Sequence, residues 1–174
     1  MSGSDVKAVF ITADTNAADN ASISANERPN TDFTIGGTDA SGGVATFDAG
    51  RIVTATTTGT GDSGKTVTIT GTDVNGAAQT ETITLPGSAT TTSGTKFFKT
   101  VTAASASAQP AANVSLGHAA GAADVIFAGR SRLQGLNIVC SATAGTLDFK
   151  TTSPTGSSVF KVGTVASATA TRDI

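Results

Sequence analysis

An all-β protein, made of small antiparallel sandwich or barrel-like units with an extended N-terminal arm, is what this sequence predicts, on three observations. Charged residues are only 14% of the 174, so the polar surface has to be built mostly from Thr, Ser, Asn and Gly. Threonine is β-branched and tolerates both faces of a pleated sheet, which favours strands over helices. Short runs with a side-chain period of two recur along the chain, separated by turns rich in Gly and Asn.

The clearest of these runs is KTVTITGTDVNGAAQTETITLP, residues 65–86. Thr66, Thr68 and Thr70 alternate with Val67 and Ile69, and Thr80, Thr82 and Thr84 alternate with Glu81, Ile83 and Leu85, so one row faces a core and the other water. Asn75-Gly76 supplies the positive φ that a tight reversal needs. A loop of those two residues alone would set Ile69 opposite Thr82, apolar against polar. A three-residue loop, Val74-Asn75-Gly76 with Gly76 left-handed, pairs Val67 with Ile83 instead and is the expected register.

Residues 1–50 carry isolated apolar patches at 8–11, 32–35 and 44–47, too few for a core of their own, and are expected to form an arm with short edge strands. A first β unit spans 51–116, with strands at 52–58, in the hairpin, and at 96–102, where KFFKTVT places Phe97 and Phe98 on opposite faces. Residues 117–129 read as a small-residue linker, the end of a tract from Ala103 in which Ser, Gly and Pro110 argue against a helix. A second β unit covers 130–174, expected as a three-strand meander of 136–140, 147–151 and 159–165. Leu136, Ile138 and Cys140 share a face there, as do Leu147 and Phe149. The last stretch, ASATATRDI, ends without a turn or polar tail, which suggests either a strand pairing outside its own subunit or a shortened form of a longer chain.

A net charge of −2 and a pI near 5.2 give no basic footprint, so neither nucleic acid nor an anionic membrane is expected as a partner. The N-terminal apolar run is far too short for a signal-peptide core or a membrane span, which predicts synthesis in a cytosol without signal-led export. Cys140, the single cysteine, cannot close an internal disulfide and reads as a buried free thiol.

Several patterns imitate chemistry. Gly59-Thr60-Gly61-Asp62-Ser63-Gly64-Lys65-Thr66 matches the phosphate-loop pattern at every fixed position. Such a loop must open a helix whose terminal amides hold the phosphates, and this one opens a strand. The embedded Gly61-Asp62-Ser63-Gly64 resembles a serine-protease nucleophile loop, but the only histidine, His118, lies downstream, in the wrong order for that family. His118 is expected as an exposed loop residue, and with Cys140 it is too little for a zinc site. Asp14, Asn16, Asp19 and Asn20 form half of a calcium loop without its closing glutamate and read better as turn caps. All eight aromatics are Phe, which weakens sugar and single-strand nucleic-acid platforms, and Phe127, Phe149, Phe160 and one of Phe97 or Phe98 are expected in the core. No catalytic, cofactor-binding or metal-ligating residue is assigned, no cofactor is expected, and the protein is read as non-enzymatic.

With these residues in view, the chain resembles the virion structural proteins of tailed bacteriophages. The resemblance is carried by VTATTTGTGDSGKTVTITGTDVNGAAQTETITLPG, then SGTKFFKTVTAASAS, then GLNIVCSATAGTLDFKTTSPTGSS, over about residues 51–165. It implies a capsid decoration (cement) protein that contacts the major capsid protein as a homo-oligomer, a trimer being one option, in a particle assembled in the bacterial host cytoplasm. A neck or tail component, or an adhesive or carbohydrate-binding surface module, is the alternative; an enzyme using the GDSGKT loop ranks last.

Overall fold

The computed structural model describes residues 17–125, 130, 132–140, 144–151, 153–166 and 169–173. Its strands are β1 (Asp19–Glu27), β2 (Ala40–Ser41), β3 (Val44–Thr57), β4 (Thr66–Thr72), β5 (Ala78–Thr84), β6 (Thr91–Ala106), β7 (Val114–His118), β8 (Gly135–Val139), β9 (Gly145–Lys150), β10 (Ser158–Thr164) and β11 (Thr169–Asp173). No helix occurs among the described residues, and every ladder is antiparallel, as the composition predicts. The chain divides into two compact units, Met1–Ile126 and Phe127–Ile174.

The hairpin forms in the expected register, with Val67 opposite Ile83. The Asp73 amide donates to the Ala77 carbonyl at 2.8 Å, and the Gly76 amide donates to the Asp73 carbonyl at 3.1 Å. That closes a three-residue loop with Gly76 at φ 83°. Asp73 holds it from inside, its Oδ1 accepting the amides of Asn75 at 2.8 Å and Ala77 at 2.9 Å.

Around the hairpin, one seven-stranded sheet runs in the order β1-β7-β3-β6-β4-β5, with β2 hairpinned onto β3. All six strands of that path, together with Phe33 from the segment after β1, close over a single core: Ile23, Phe33, Ala45, Phe47, Val53, Ala55, Val67, Ile69, Ile83, Leu85, Phe98, Val101, Ala104, Val114 and Leu116. Residues 19–50 are therefore part of this sheet and not an arm along it, whereas the start of the expected arm, with its patch at 8–11, lies outside the described residues. The apolar residues of this segment are sparse, but Ile23, Phe33, Ala45 and Phe47 each point inward and are completed by neighbouring strands. The expected linker is corrected as well. β6 continues to Ala106 and β7 follows, so Gly117 and His118 sit in a strand buried at every position. Small residues hid it: Ala and Gly are weak strand formers, but they suit a place where backbones approach closely.

Both edges of the sheet are covered. Beyond β1, the amides of Gly36 and Gly37 donate to the Ile23 carbonyl at 3.1 and 3.0 Å, and the Asp39 amide donates to the Ser22 carbonyl at 2.9 Å. Beyond β5, Glu81 reaches across to β6, where its carboxylate accepts the Thr95 amide at 2.6 Å and the Lys96 amide at 3.2 Å. An acid in the inward row of an apolar strand is thus explained by edge closure, and Gly94 leaves it room, since a Cβ there would fall 2.3 Å from Glu81 Oε2. Glu81→Ala strips the charged acceptor from two amides and is expected to cost about 1–2 kcal/mol. A lower urea midpoint at unchanged slope reports the loss; an unmoved midpoint would mean that water serves these amides equally well.

In the second unit, β8 pairs with β11 and β9 with β10, as two separate two-stranded ribbons. The three-strand meander is corrected: β8 skips its sequence neighbour and takes the last strand, with Val139 opposite Thr169 and Gly135 opposite Asp173. The final strand thus pairs within its own chain. Phe149 and Phe160 stack with centroids 5.3 Å apart, both half-buried.

Candidate functional site

Polar side chains gather at two places, and large apolar ones stand exposed at a third. The first is built by a wide bulge in β3. Thr46 pairs with Thr100 and Arg51 with Phe98, so β3 inserts four residues where β6 has one between those pairs. This bulge turns Phe47 and Arg51 inward, and Arg51, 1% exposed, is the largest fully buried side chain. Its guanidinium donates to the Gly121 carbonyl at 3.3 Å and meets Asp48 Oδ1 at 3.3 Å. Gly121 belongs to a returning segment held to β3 by two bonds between Gly50 and Ala123, at 2.8 and 2.9 Å.

His118 closes the same region. It is 5% exposed, not the exposed loop residue the sequence suggested, because β7 carries it beside Val53 of β3. Its ring meets the edge of Phe47 at 5.6 Å; Nδ1 lies 3.1 Å from the Ala119 carbonyl, and Nε2 lies 3.5 Å from Asp39 Oδ2. Both ring nitrogens face acceptors within the unit. The contact ties the β2–β3 hairpin to the end of β7, and no sequence spacing linked Asp39 to His118.

The glycine-rich loop is the second place. Lys65 leads straight into β4, as expected, and its ammonium lies 3.0 Å from the fully buried Asp62 carboxylate. That carboxylate also accepts the amides of Ala111 at 2.6 Å and Ala112 at 3.3 Å. Desolvation by burial pushes the Asp62 pKa up, but the Ala111 amide, the Lys65 ammonium and the Ala112 amide outweigh it and hold the carboxyl below its ordinary value. The lysine that a phosphate would need is spent on the loop's own carboxylate, which two amides from outside the loop also hold. The GDSGK loop is a strap, joining the start of β4 to the connection before β7.

Asp19 acts as the turn cap expected of it, accepting from the Ala21 amide at 2.9 Å and the Thr38 hydroxyl at 3.0 Å. Its supposed calcium partners Asp14 and Asn16 lie outside the described residues, as does Phe127. Of the adjacent pair Phe97 and Phe98, Phe98 is the core residue; Phe97, Phe149 and Phe160 are half-buried. Cys140 is half-buried too, not a core thiol, on the two-stranded ribbon side of the chain. Among the described residues no group of three or more His, Cys, Asp or Glu side chains is placed to hold a metal ion.

The third place is apolar. Among the described residues the exposed large hydrophobics are Val125, Val139, Val159 and Val165, at 38, 78, 68 and 70% exposure. The last three belong to the second unit, where Val162 is the one core hydrophobic described. Val159 is the odd residue of a register shift between Ser158 and Phe160, which turns it out of the ribbon's pairing.

Comparison of the chain with protein families, with curated proteins and with solved structures found no match.

Proposed function

We propose that this chain is a non-enzymatic structural protein of a tailed-bacteriophage virion, decorating and stabilising the head through contacts with the major capsid protein. It acts as a homo-oligomer, assembles in the bacterial host cytoplasm, and engages neither nucleic acid nor membrane. The observation that carries the reading is the stretch 51–165, whose hairpin, KFFKTVT strand and GLNIV run resemble such proteins in order and style. Those pieces form β4–β5, the middle of β6, and β8.

Physical chemistry supports it. The buried ions of the first unit are bound to that unit's own backbone and side chains, which is the economy of a scaffold. Its outward rows are threonine, joined across strands as Thr56 with Thr91 at 2.7 Å, Thr68 with Thr82 at 3.3 Å and Thr72 with Thr100 at 2.8 Å. Rows of short hydroxyls make flat, wet surfaces suited to contacts repeated around a shell, where many weak attachments sum to a firm one.

Fractionating phage particles on a density gradient and assaying each fraction by peptide mass spectrometry tests the reading. The chain is expected to peak with the major capsid protein. A peak confined to host-cell or free-protein fractions would contradict it and favour the surface-module alternative.

A further inference from the structure

We infer that the exposed valines of the second unit, Val139, Val159 and Val165, dock on the acidic first unit of a second copy of this chain. The inference rests on the homo-oligomer in the reading above and names the surfaces that would build it.

Two observations point the same way. Among its described residues the second unit buries little apolar surface. A two-stranded ribbon is marginal by itself in water, and of the hydrophobics described in the two ribbons only Val162, on β10, is buried, while three valines stand more than two-thirds exposed. Among the described residues no third strand pairs with either ribbon, in contrast to the covered edges of the large sheet.

Charge then selects the occupant. Residues 127–174 hold five basic residues, Arg130, Arg132, Lys150, Lys161 and Arg172, against Asp148 and Asp173, a net of +3. Residues 1–126 hold six basic against eleven acidic residues, a net of −5, and the two units together give the whole chain's −2. Ribbon against ribbon would bring like charges together, whereas second unit against the first unit of another copy brings opposite charges around the exposed valines. Such a contact closes as a two-fold dimer when each copy's second unit meets the other's first, or runs head to tail into a ring or filament. Rim charges contribute attraction that salt weakens, and the valines contribute attraction that it does not.

The test uses the full chain, mixed as equal parts of nitrogen-14 and nitrogen-15 protein and treated with a zero-length reagent that joins amines to carboxylates. Mixed-isotope links are expected from Lys150 or Lys161 to carboxylates in residues 17–125. Sedimentation should show an oligomer that loosens as salt rises, and Val139→Asp and Val159→Asp should each weaken it about tenfold. The cross-links are read on the unaltered chain, so the inference stays exposed even if a variant misfolds. Links found only within one isotope form, links confined to residues 127–174, or a monomer in concentrated low-salt solution would overturn it. A monomer that still travels with phage particles overturns this inference and leaves the virion reading standing. An oligomer with the expected links that is absent from particles upholds the inference while removing the reading.

Discussion

Asp62→Ala is expected to destabilise the first unit by about 2–3 kcal/mol, because it leaves two part-buried amides and an ammonium without their shared buried acceptor. The amides are those of Ala111 and Ala112, and the ammonium is that of Lys65. Urea unfolding should report the loss, and hydrogen exchange should accelerate first at Ala111 and Ala112. The same carboxylate predicts a pH dependence. Its pKa is lowered in the folded protein, so the stability it contributes is complete above the ordinary carboxyl range and is lost as pH falls through the lowered value. Below about pH 4 the unaltered protein should therefore lose stability more steeply than Asp62→Asn, which has no charge to neutralise at that position. Parallel pH profiles for the two proteins would show that Asp62 contributes nothing through its charge.

Gly117→Ala is expected to cost about 3 kcal/mol by pushing β1 off β7. A Cβ at Gly117 would sit 1.8 Å from the Asp19 carbonyl oxygen and 2.5 Å from the Asn20 carbonyl carbon, both backbone, so the strand itself has to move. Hydrogen exchange should then rise across Asp19–Glu27 while Thr66–Thr72 and Ala78–Thr84 keep their protection. Unchanged protection in β1 would mean that the two backbones are not so closely packed there.

These two sites also mark where the sequence stops being readable. The hairpin was legible down to its loop length because its information is local: alternation fixes the faces, and Asn75-Gly76 fixes the turn. The all-β class was legible for the same reason. The Asp62 strap was not, since its amides lie 49 and 50 residues away and a motif search sees only the glycines. His118 was misplaced because its tract of Ala, Ser and Gly carries no strand signal; it is buried through neighbours in β3 and β2–β3 that are distant in sequence. In the second unit alternation identified strands and faces, but it says nothing of partners, and so β8 was assigned to β9 when it pairs with β11. Unsuspected, too, were the exposed valines: Val139 and Val159 look like any other strand residue until burial is seen.

The most direct test of the central claim is the copy number of this chain in purified phage particles, by quantitative peptide mass spectrometry against the major capsid protein. A decoration role predicts a fixed, simple ratio, one copy per capsid subunit or a small-integer fraction of it, with the same value in independent preparations. A handful of copies per particle would move the protein to the neck or tail, and complete absence from particles would contradict the virion account altogether.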